Sequence, residues 1–430
     1  MIPADSATPA PASTGVDSAF PPCFDRATWS APRKLIEEDH VTIGVAVIGA
    51  GMAGKAHIAA YRVAPTLYES TLPDLRYVAI GDINAELGAA TAKRYGYERS
   101  VTDWREIAED PSIDVVSVVI ANSLHLEVVK GLLEAGKHVL CEKPLSDTLE
   151  SAREMARLAD EASSIARIGL TFRRQPGLAA IRQWIDDGTL GKVLHYSGRY
   201  WCDYGCNPQG PMSWRYRGPM GSGALADVGS HLTYLSEFLC GDMRSVAGGT
   251  LGTAITERPL PLGAVVGHGL AAVSDDYEPV TNDDYASYTA QFDDCMGTLE
   301  VSRVAAGYPN ALNIEVFCEN GAASFHQDTP SQVRLYRHDD MPGKNGYRTV
   351  NLGSDHPYIA GGLPMDVSGV GFGQNEGFAF QARAFLEEVA GIDEEHSLPR
   401  NASFDEGVHN MEILAAVAES AADEGKKVTL

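Results

Sequence analysis

Five short patterns bring together residue types that can hold a dinucleotide and move a proton beside it. Gly49-Ala50-Gly51-Met52-Ala53-Gly54 is a G-x-G-x-x-G run that follows an apolar strand pattern and opens a helical one. Glycines there permit a tight turn and let the N–H groups of a helix start approach a diphosphate. Asp82 ends the next apolar run, where a carboxylate can accept hydrogen bonds from two ribose hydroxyls and repel a 2′-phosphate. Ile83 and Asn84 follow it, with no Arg to welcome that phosphate, so NAD is expected rather than NADP. Asn122 and His125 fall just beyond a third apolar strand, and Glu142-Lys143-Pro144 just beyond a fourth. Ligands bind at such carboxyl ends in open α/β sheets. Asp227 and His231 are four residues apart, so on a helix both face one side. A neutral imidazole, with an ordinary pKa of about 6.5, suits accepting a hydroxyl proton near neutral pH. Lys143, partly desolvated beside a cationic nicotinamide, can share that role, and Asp227 can hold either partner. The plainer alternative is an Asp that caps a helix above a packed His.

The elements that must position these residues follow from periodicity. Residues 45–48, 77–80, 115–120 and 139–141 are short continuous apolar runs, read as strands buried on both faces. Helical patterns over 56–63, 85–95, 126–135 and 149–163 alternate with them, which implies a doubly wound parallel sheet. The unusual distance from the glycines to Asp82 is taken up by a loop over 64–75. After about residue 167 one helix (177–187) gives way to alternating strand patterns at 193–200, 285–292, 297–303, 313–318 and 322–326, an antiparallel sheet. A helix over 228–239 interrupts them, and two helical patterns, 377–389 and 404–424, close the chain. Residues 253–284 and 339–375 read as long irregular stretches. The expected organisation is an N-terminal extension (1–40), a nucleotide-binding domain (41–166) and an α+β domain (167–430) with a large, mostly antiparallel open sheet. The final helices are free to pack back on the first domain.

Charge narrows the partners. Lys and Arg number 34 against 58 Asp and Glu, a net charge of −24, which repels nucleic acid and anionic lipid. The seven cysteines show no disulfide framework, and Cys202 and Cys206 alone do not make a metal site, so free thiols and no metal are expected. The Pro/Ala/Ser/Thr-rich start lacks the basic and apolar parts of a signal peptide, and no apolar run approaches a membrane span, so the cytoplasm is the expected compartment. Phe24, Trp29 and Leu35 are the residues that could anchor the extension.

The glycine loop, Glu142-Lys143-Pro144 and Ala226-Asp227-Val228-Gly229-Ser230-His231 together resemble the glucose–fructose oxidoreductase / inositol 2-dehydrogenase family, over about residues 43–430. The resemblance implies a Rossmann domain followed by an open-sheet domain, with NAD as cofactor. It places the family's catalytic Lys, Asp and His on Lys143, Asp227 and His231. It places its nicotinamide-pocket residues on Asn122 and His125, with Gly49, Gly51, Met52, Ala53, Gly54, Asp82, Glu142 and Arg174 completing the cofactor set. Two departures are Ala121, where Pro is common, and Thr171, where Asn is common. Within the family, Glu257-Arg258-Pro259-Leu260, Pro211-Met212-Ser213-Trp214-Arg215 and His356-Pro357-Tyr358 are similar to the branch that contains levoglucosan dehydrogenase. That similarity implies oxidation of a secondary hydroxyl, typically at C3, of a pyranose, anhydrosugar or glycoside. Neighbouring activities are inositol 2-dehydrogenation and NAD-using glycoside cleavage by transient C3 oxidation. A non-catalytic sensor is a third class, against which the intact Lys143, Asp227 and His231 speak.

A sugar offers hydroxyl edges and apolar faces, so Tyr200, Asp203, Trp214, Arg215 and Tyr358 are the candidate substrate contacts. One face of the open sheet needs cover, which points to a homodimer or homotetramer.

Overall fold

The computed structural model describes residues 42–68, 72–218, 223–263, 265, 271–339, 343 and 345–430. The expected extension over 1–40, with Phe24, Trp29 and Leu35, lies outside the described residues.

β1 (Ile43–Ile48) is buried at every position, as a strand covered on both faces must be. It runs through the glycine turn into α1 (Met52–Val63). Then follow β2 (Leu75–Gly81), α2 (Ala85–Tyr95), β3 (Arg99–Val101), α3 (Arg105–Ala108), β4 (Val115–Val118), α4 (His125–Glu134), β5 (His138–Glu142), α5 (Leu149–Glu161) and β6 (Ala166–Gly169). Local signals set the helix ends. The Asn84 side chain caps α2 by accepting from Leu87 N–H, Gly96 ends it at φ 72°, and Thr148 caps α5. Strand order is β3-β2-β1-β4-β5-β6, parallel throughout. The direction of winding reverses between β1 and β4, which opens a crevice at their carboxyl ends. The division expected after residue 166 falls inside β6, which belongs to this sheet through Gly169. β6 escaped notice because it is only four residues long and Arg167 breaks its apolar pattern.

The second half begins with α6 (Pro176–Asp186) and β7 (Val193–Trp201). A π-helical turn over Leu225–Gly229 leads into α7 (Ser230–Cys240). After it come β8 (Met243–Gly252), β9 (Glu257–Pro261), β10 (Val273–Pro279), β11 (Tyr285–Phe292), β12 (Met296–Ser302), β13 (Ala311–Cys318), β14 (Gly321–His326), β15 (Gln332–Arg337), β16 (Arg348–Asn351), α8 (Gln374–Val389), α9 (Phe404–Ala422) and β17 (Val428–Thr429). Among the described residues nine strands form one sheet, ordered β16-β15-β14-β13-β7-β12-β11-β8-β17. Its pairs are antiparallel except β7 with β12, which run parallel.

Two stretches read as irregular contain strands. Among the described residues β9 and β10 pair only with each other, and prolines and acids fill them, so no apolar alternation marks them. β16 is a short edge strand with no fully buried residue. β8 was not expected at all, because Gly248, Gly249 and Gly252 dilute its apolar pattern.

α7 lies on one face of the large sheet, where Leu232 and Leu235 share a core with Tyr196, Leu299 and Val301. α8 returns to the parallel sheet: Ala382, Phe385 and Leu386 pack with Val45, Ile58, Tyr61 and Leu140. Met411 and Leu414 of α9 join the core of Leu145 and Met155. No helix among the described residues is long and apolar enough to cross a membrane.

Candidate active site

The glycine loop is shaped by crowding on two sides and openness on a third. A Cβ on Gly49 would lie 2.0 Å from the Val119 carbonyl oxygen, and Gly49 has φ 106°. A Cβ on Gly54 would lie 1.9 Å from the Gly49 carbonyl oxygen. At Gly51 nothing lies within 4 Å of that position, so the face where a diphosphate would approach is clear. Met52 is exposed and Ala53 half-buried at the start of α1. Asp82 follows β2 directly, and its carboxylate accepts from Ala50 N–H at 2.7 Å and Asn84 N–H at 2.8 Å. Each oxygen keeps a further lone pair for a ribose hydroxyl. These residues fit a dinucleotide.

Lys143 stands just past β5, joined to Pro144 by a cis peptide. Its Nζ donates to the Asp227 carbonyl oxygen at 2.7 Å and to Asp227 Oδ1 at 3.1 Å. Asp227 sits inside the π-helical turn rather than at a cap, and such turns often mark functional positions. Its Oδ2 accepts from the Tyr204 hydroxyl at 2.7 Å. Burial and the facing carboxylate push the Tyr204 phenol well up, so it remains a donor.

His231 lies at the start of α7, one helical turn further on, and its Nδ1 turns to a residue other than Asp227. Its Nδ1 lies 2.8 Å from the Tyr234 hydroxyl, which also accepts from Phe172 N–H at 3.1 Å. Phe172 meets the imidazole edge-on at 4.8 Å, and Tyr200 packs at 5.9 Å. Desolvation first, then the Lys143 charge, drives the His231 pKa well below its ordinary value, with Asp227 opposing weakly. The ring is neutral. Tyr200 itself is buried and donates to Asn310 Oδ1 at 2.7 Å, so it forms the floor beneath His231.

A buried polar chain backs the Lys-bearing loop. Glu142 Oε2 accepts from Lys143 N–H at 3.1 Å, and Oε1 meets His57 Nε2 at 2.9 Å. His57 Nδ1 reaches Ser117 Oγ at 3.1 Å, which meets Tyr61 at 2.8 Å. This chain ties α1, β4 and the end of β5 together. Nothing in the sequence pattern singled out His57 or Ser117, because each partner comes from a distant element. Tyr234 had a signal, its i,i+3 spacing from His231. Tyr204, on an irregular loop, had none.

Several expected contacts are placed elsewhere. Asn122 is buried at the turn after β4. His125 does not line the cleft: it is fully buried, with Nδ1 3.0 Å from the Leu145 carbonyl and Nε2 3.3 Å from that of Ile120. It fastens two cleft loops together. Arg174 is buried too, donating to the Tyr358 hydroxyl, Pro399 O and Asn401 Oδ1. Tyr358 in turn packs on Phe380 in a small core, so this pair braces α8. Three of the guanidinium's five N–H donors go to these fixed acceptors. Trp214, exposed, carries the Arg215 guanidinium over its ring at 4.5 Å. Their loop is clamped by buried Arg303, which donates to Asp284 and the Arg215 carbonyl, and by Arg258, which donates to Gly205 and Asn207 carbonyls. Asp203 is half-buried on the same loop, next to Tyr204. No group of three or more metal-ligating side chains occurs among the described residues.

A parallel sheet with a diphosphate-ready turn and Lys143 at its carboxyl edge, joined to an open-sheet domain that brings Asp227 onto that Lys and His231 beside it, defines a class of nucleotide-dependent oxidoreductase. Residues 43–170 match the family described as oxidoreductases with an NAD-binding Rossmann fold, and 178–324 match the GFO/IDH/MocA C-terminal domain. The chain belongs to this family. Levoglucosan dehydrogenase of Pseudarthrobacter phenanthrenivorans is 33% identical over 387 residues, 89% of this chain and 97% of the relative. A solved levoglucosan dehydrogenase in complex with NADH and L-sorbose superposes with a TM-score of 0.81 at 32% identity, covering 90% of this chain and 98% of the other. An oxidoreductase domain protein from Kribbella flavida gives a TM-score of 0.80 at 33% identity, with coverage of 90% and 99%.

Proposed function

We propose that this protein oxidises a secondary hydroxyl, at C3, of a pyranose, an anhydrosugar such as levoglucosan, or a glycoside. The observation that carries this reading is Lys143 held by Asp227 at the strand-end crevice, across from a neutral His231. NAD, held by the glycine loop and Asp82, supplies the hydride acceptor. The chain's own residues do the rest. Lys143 and His231 meet the reacting hydroxyl and exchange its proton. Asp227 and Tyr204 fix the Lys143 amine, and Glu142 with His57 fixes the backbone that carries it. Tyr200 and Phe172 give His231 an apolar bed that keeps it uncharged. Trp214, Arg215 and Asp203, on the clamped loop, are the proposed sugar contacts.

The likeness to levoglucosan dehydrogenases over nearly the whole chain favours anhydrosugars over inositols. A panel of pyranoses, anhydropyranoses, glycosides and inositols, followed by absorbance of the reduced nicotinamide, tests the proposal. NADH should accumulate with members of the first three classes. Release of an aglycone without NADH would instead indicate redox-neutral cleavage.

A further inference from the structure

The hydrogen bonds around Tyr234 decide which of the two cleft bases takes the proton. Tyr234 is a buried residue of α7, with 1% of its surface exposed. A phenol has one proton to give. Its oxygen already accepts from Phe172 N–H, a backbone donor that is also buried. The other partner of that oxygen is His231 Nδ1, at 2.8 Å. If Nδ1 carried the imidazole proton, Tyr234 oxygen would receive two hydrogens and its own would point into the core without an acceptor. A buried donor left unpaired costs about 1–3 kcal/mol. If Nδ1 is bare, all three groups are satisfied: Phe172 N–H gives to Tyr234, and Tyr234 O–H gives to Nδ1. A neutral imidazole has one N–H, which is then on Nε2, the nitrogen left for the cleft.

We infer that His231 is held as its Nε2–H tautomer by Tyr234, so that His231 donates a hydrogen bond to the substrate oxygen and Lys143 is the proton acceptor in oxidation. Tyr234 is then a positioning residue. The Lys143 side matches. To take that proton Lys143 must react as the free amine, whose two N–H bonds match its two acceptors on Asp227, the carbonyl oxygen at 2.7 Å and Oδ1 at 3.1 Å. Its lone pair is left for the substrate. In the step, the hydroxyl O–H bond breaks toward Lys143 Nζ, the C–O bond becomes a carbonyl, and the hydride leaves the same carbon for the bound NAD. The oxygen, gaining negative charge on the way, is met by His231 Nε2–H. A donor aimed at such charge is worth about 10²–10³ in rate.

This inference rests on the dehydrogenase reading for its chemistry but not for its first test. Nitrogen-15 NMR of the full chain labelled at histidine, with His231→Gln used to assign the His231 signals, reads the tautomer without any substrate. The expected spectrum has a bare Nδ1 and a protonated Nε2, and a protonated Nδ1 overturns the inference. A chain that shows the expected spectrum yet oxidises no sugar would fail the dehydrogenase reading alone. Activity gives the second test. A Gln amide can place an N–H near the position of Nε2 but cannot act as a base. His231→Gln should therefore cost less in kcat than His231→Ala, whose loss should reach the roughly 10²–10³ of one donor. A His231→Gln variant as slow as His231→Ala would make His231 the base. Tyr234→Phe should allow the Nδ1–H form to appear in the spectrum and lower kcat more than it raises KM, with NAD affinity by fluorescence unchanged. An unaltered tautomer in that variant would also overturn the role of Tyr234, and if the variant does not fold the wild-type spectrum still decides.

Discussion

Lys143 is the side chain on which the proposed chemistry turns. Its side chain is 12% exposed and its amine is bonded twice to Asp227, away from the glycine loop, so replacing it should change proton transfer and leave that loop intact. Lys143→Met should lower kcat by about 10²–10⁴, the scale of a proton-transfer group, while the dissociation constant for NAD by fluorescence titration stays within a few-fold. An unchanged kcat would remove Lys143 from the mechanism. At the other end of the crevice, Asp82 joins β2 to the glycine loop through Ala50 N–H. Asp82→Ala should weaken NAD binding and narrow or reverse its advantage over NADP, because the ribose bonds and the charge that repels a 2′-phosphate go together. Equal wild-type affinity for both cofactors would show that Asp82 does not discriminate.

The elements explain why part of the site could be read from the chain and part could not. β1, β4 and β5 are continuous apolar runs, and the residues that follow them stand at the crevice because a parallel sheet puts all its carboxyl ends on one side. Hence Gly49–Gly54, Asp82, Glu142 and Lys143 were legible. Side-chain direction was not. Position on a helix brings Asp227 and His231 near each other, but the π-helical turn aims Asp227 at Lys143 and Tyr204, and a hydrogen bond aims His231 at Tyr234. His125 and Arg174 have the right place in sequence and the wrong exposure, since each is enclosed by carbonyl acceptors from remote segments. β9 and β10, a two-stranded ribbon rich in prolines and acids, carry no periodic apolar signal.

Helices and loops also set the response to acid. Burial pushes His356 down to about 3 and drives His125 and His231 below their ordinary 6.5. In this window the unfolded chain binds more protons than the folded one, so stability falls as pH drops below about 6.5. Each such histidine adds a slope of up to about 1.4 kcal/mol per pH unit. His409 on α9 has the opposite sign. Its hydrogen bond to Glu237 of α7 raises its pKa, so its contribution is full below 6.5 and fades as pH rises through the folded value. Thermal unfolding followed from pH 7 to 4 should show a falling midpoint, less steep in His356→Asn, which keeps an acceptor for Tyr358 N–H but cannot take a proton. Identical slopes would mean that His356 takes up its proton equally in the folded and unfolded states.

For the whole molecule, the nine-stranded sheet has α7 on one face and, among the described residues, an exposed row on the other. Met296, His195 and Phe317 are aligned across β12, β7 and β13, with Met296 60% and Phe317 36% exposed. We propose that a second copy covers this face, giving the homodimer or homotetramer that the open sheet suggests. Phe317→Asp should shift sedimentation velocity toward the monomer while leaving the fold intact by circular dichroism. A wild-type chain that sediments as a monomer would rule the interface out. Hydride removal from C3 of a pyranose ring can be followed by isotopic transfer. Levoglucosan carrying deuterium only at C3 would be incubated with the enzyme and NAD, and the reduced cofactor analysed by mass spectrometry. The NADH formed should carry the deuterium. Reduced cofactor without deuterium would place the oxidation at another carbon, and sugar turnover with no reduced cofactor would contradict the dehydrogenase reading itself.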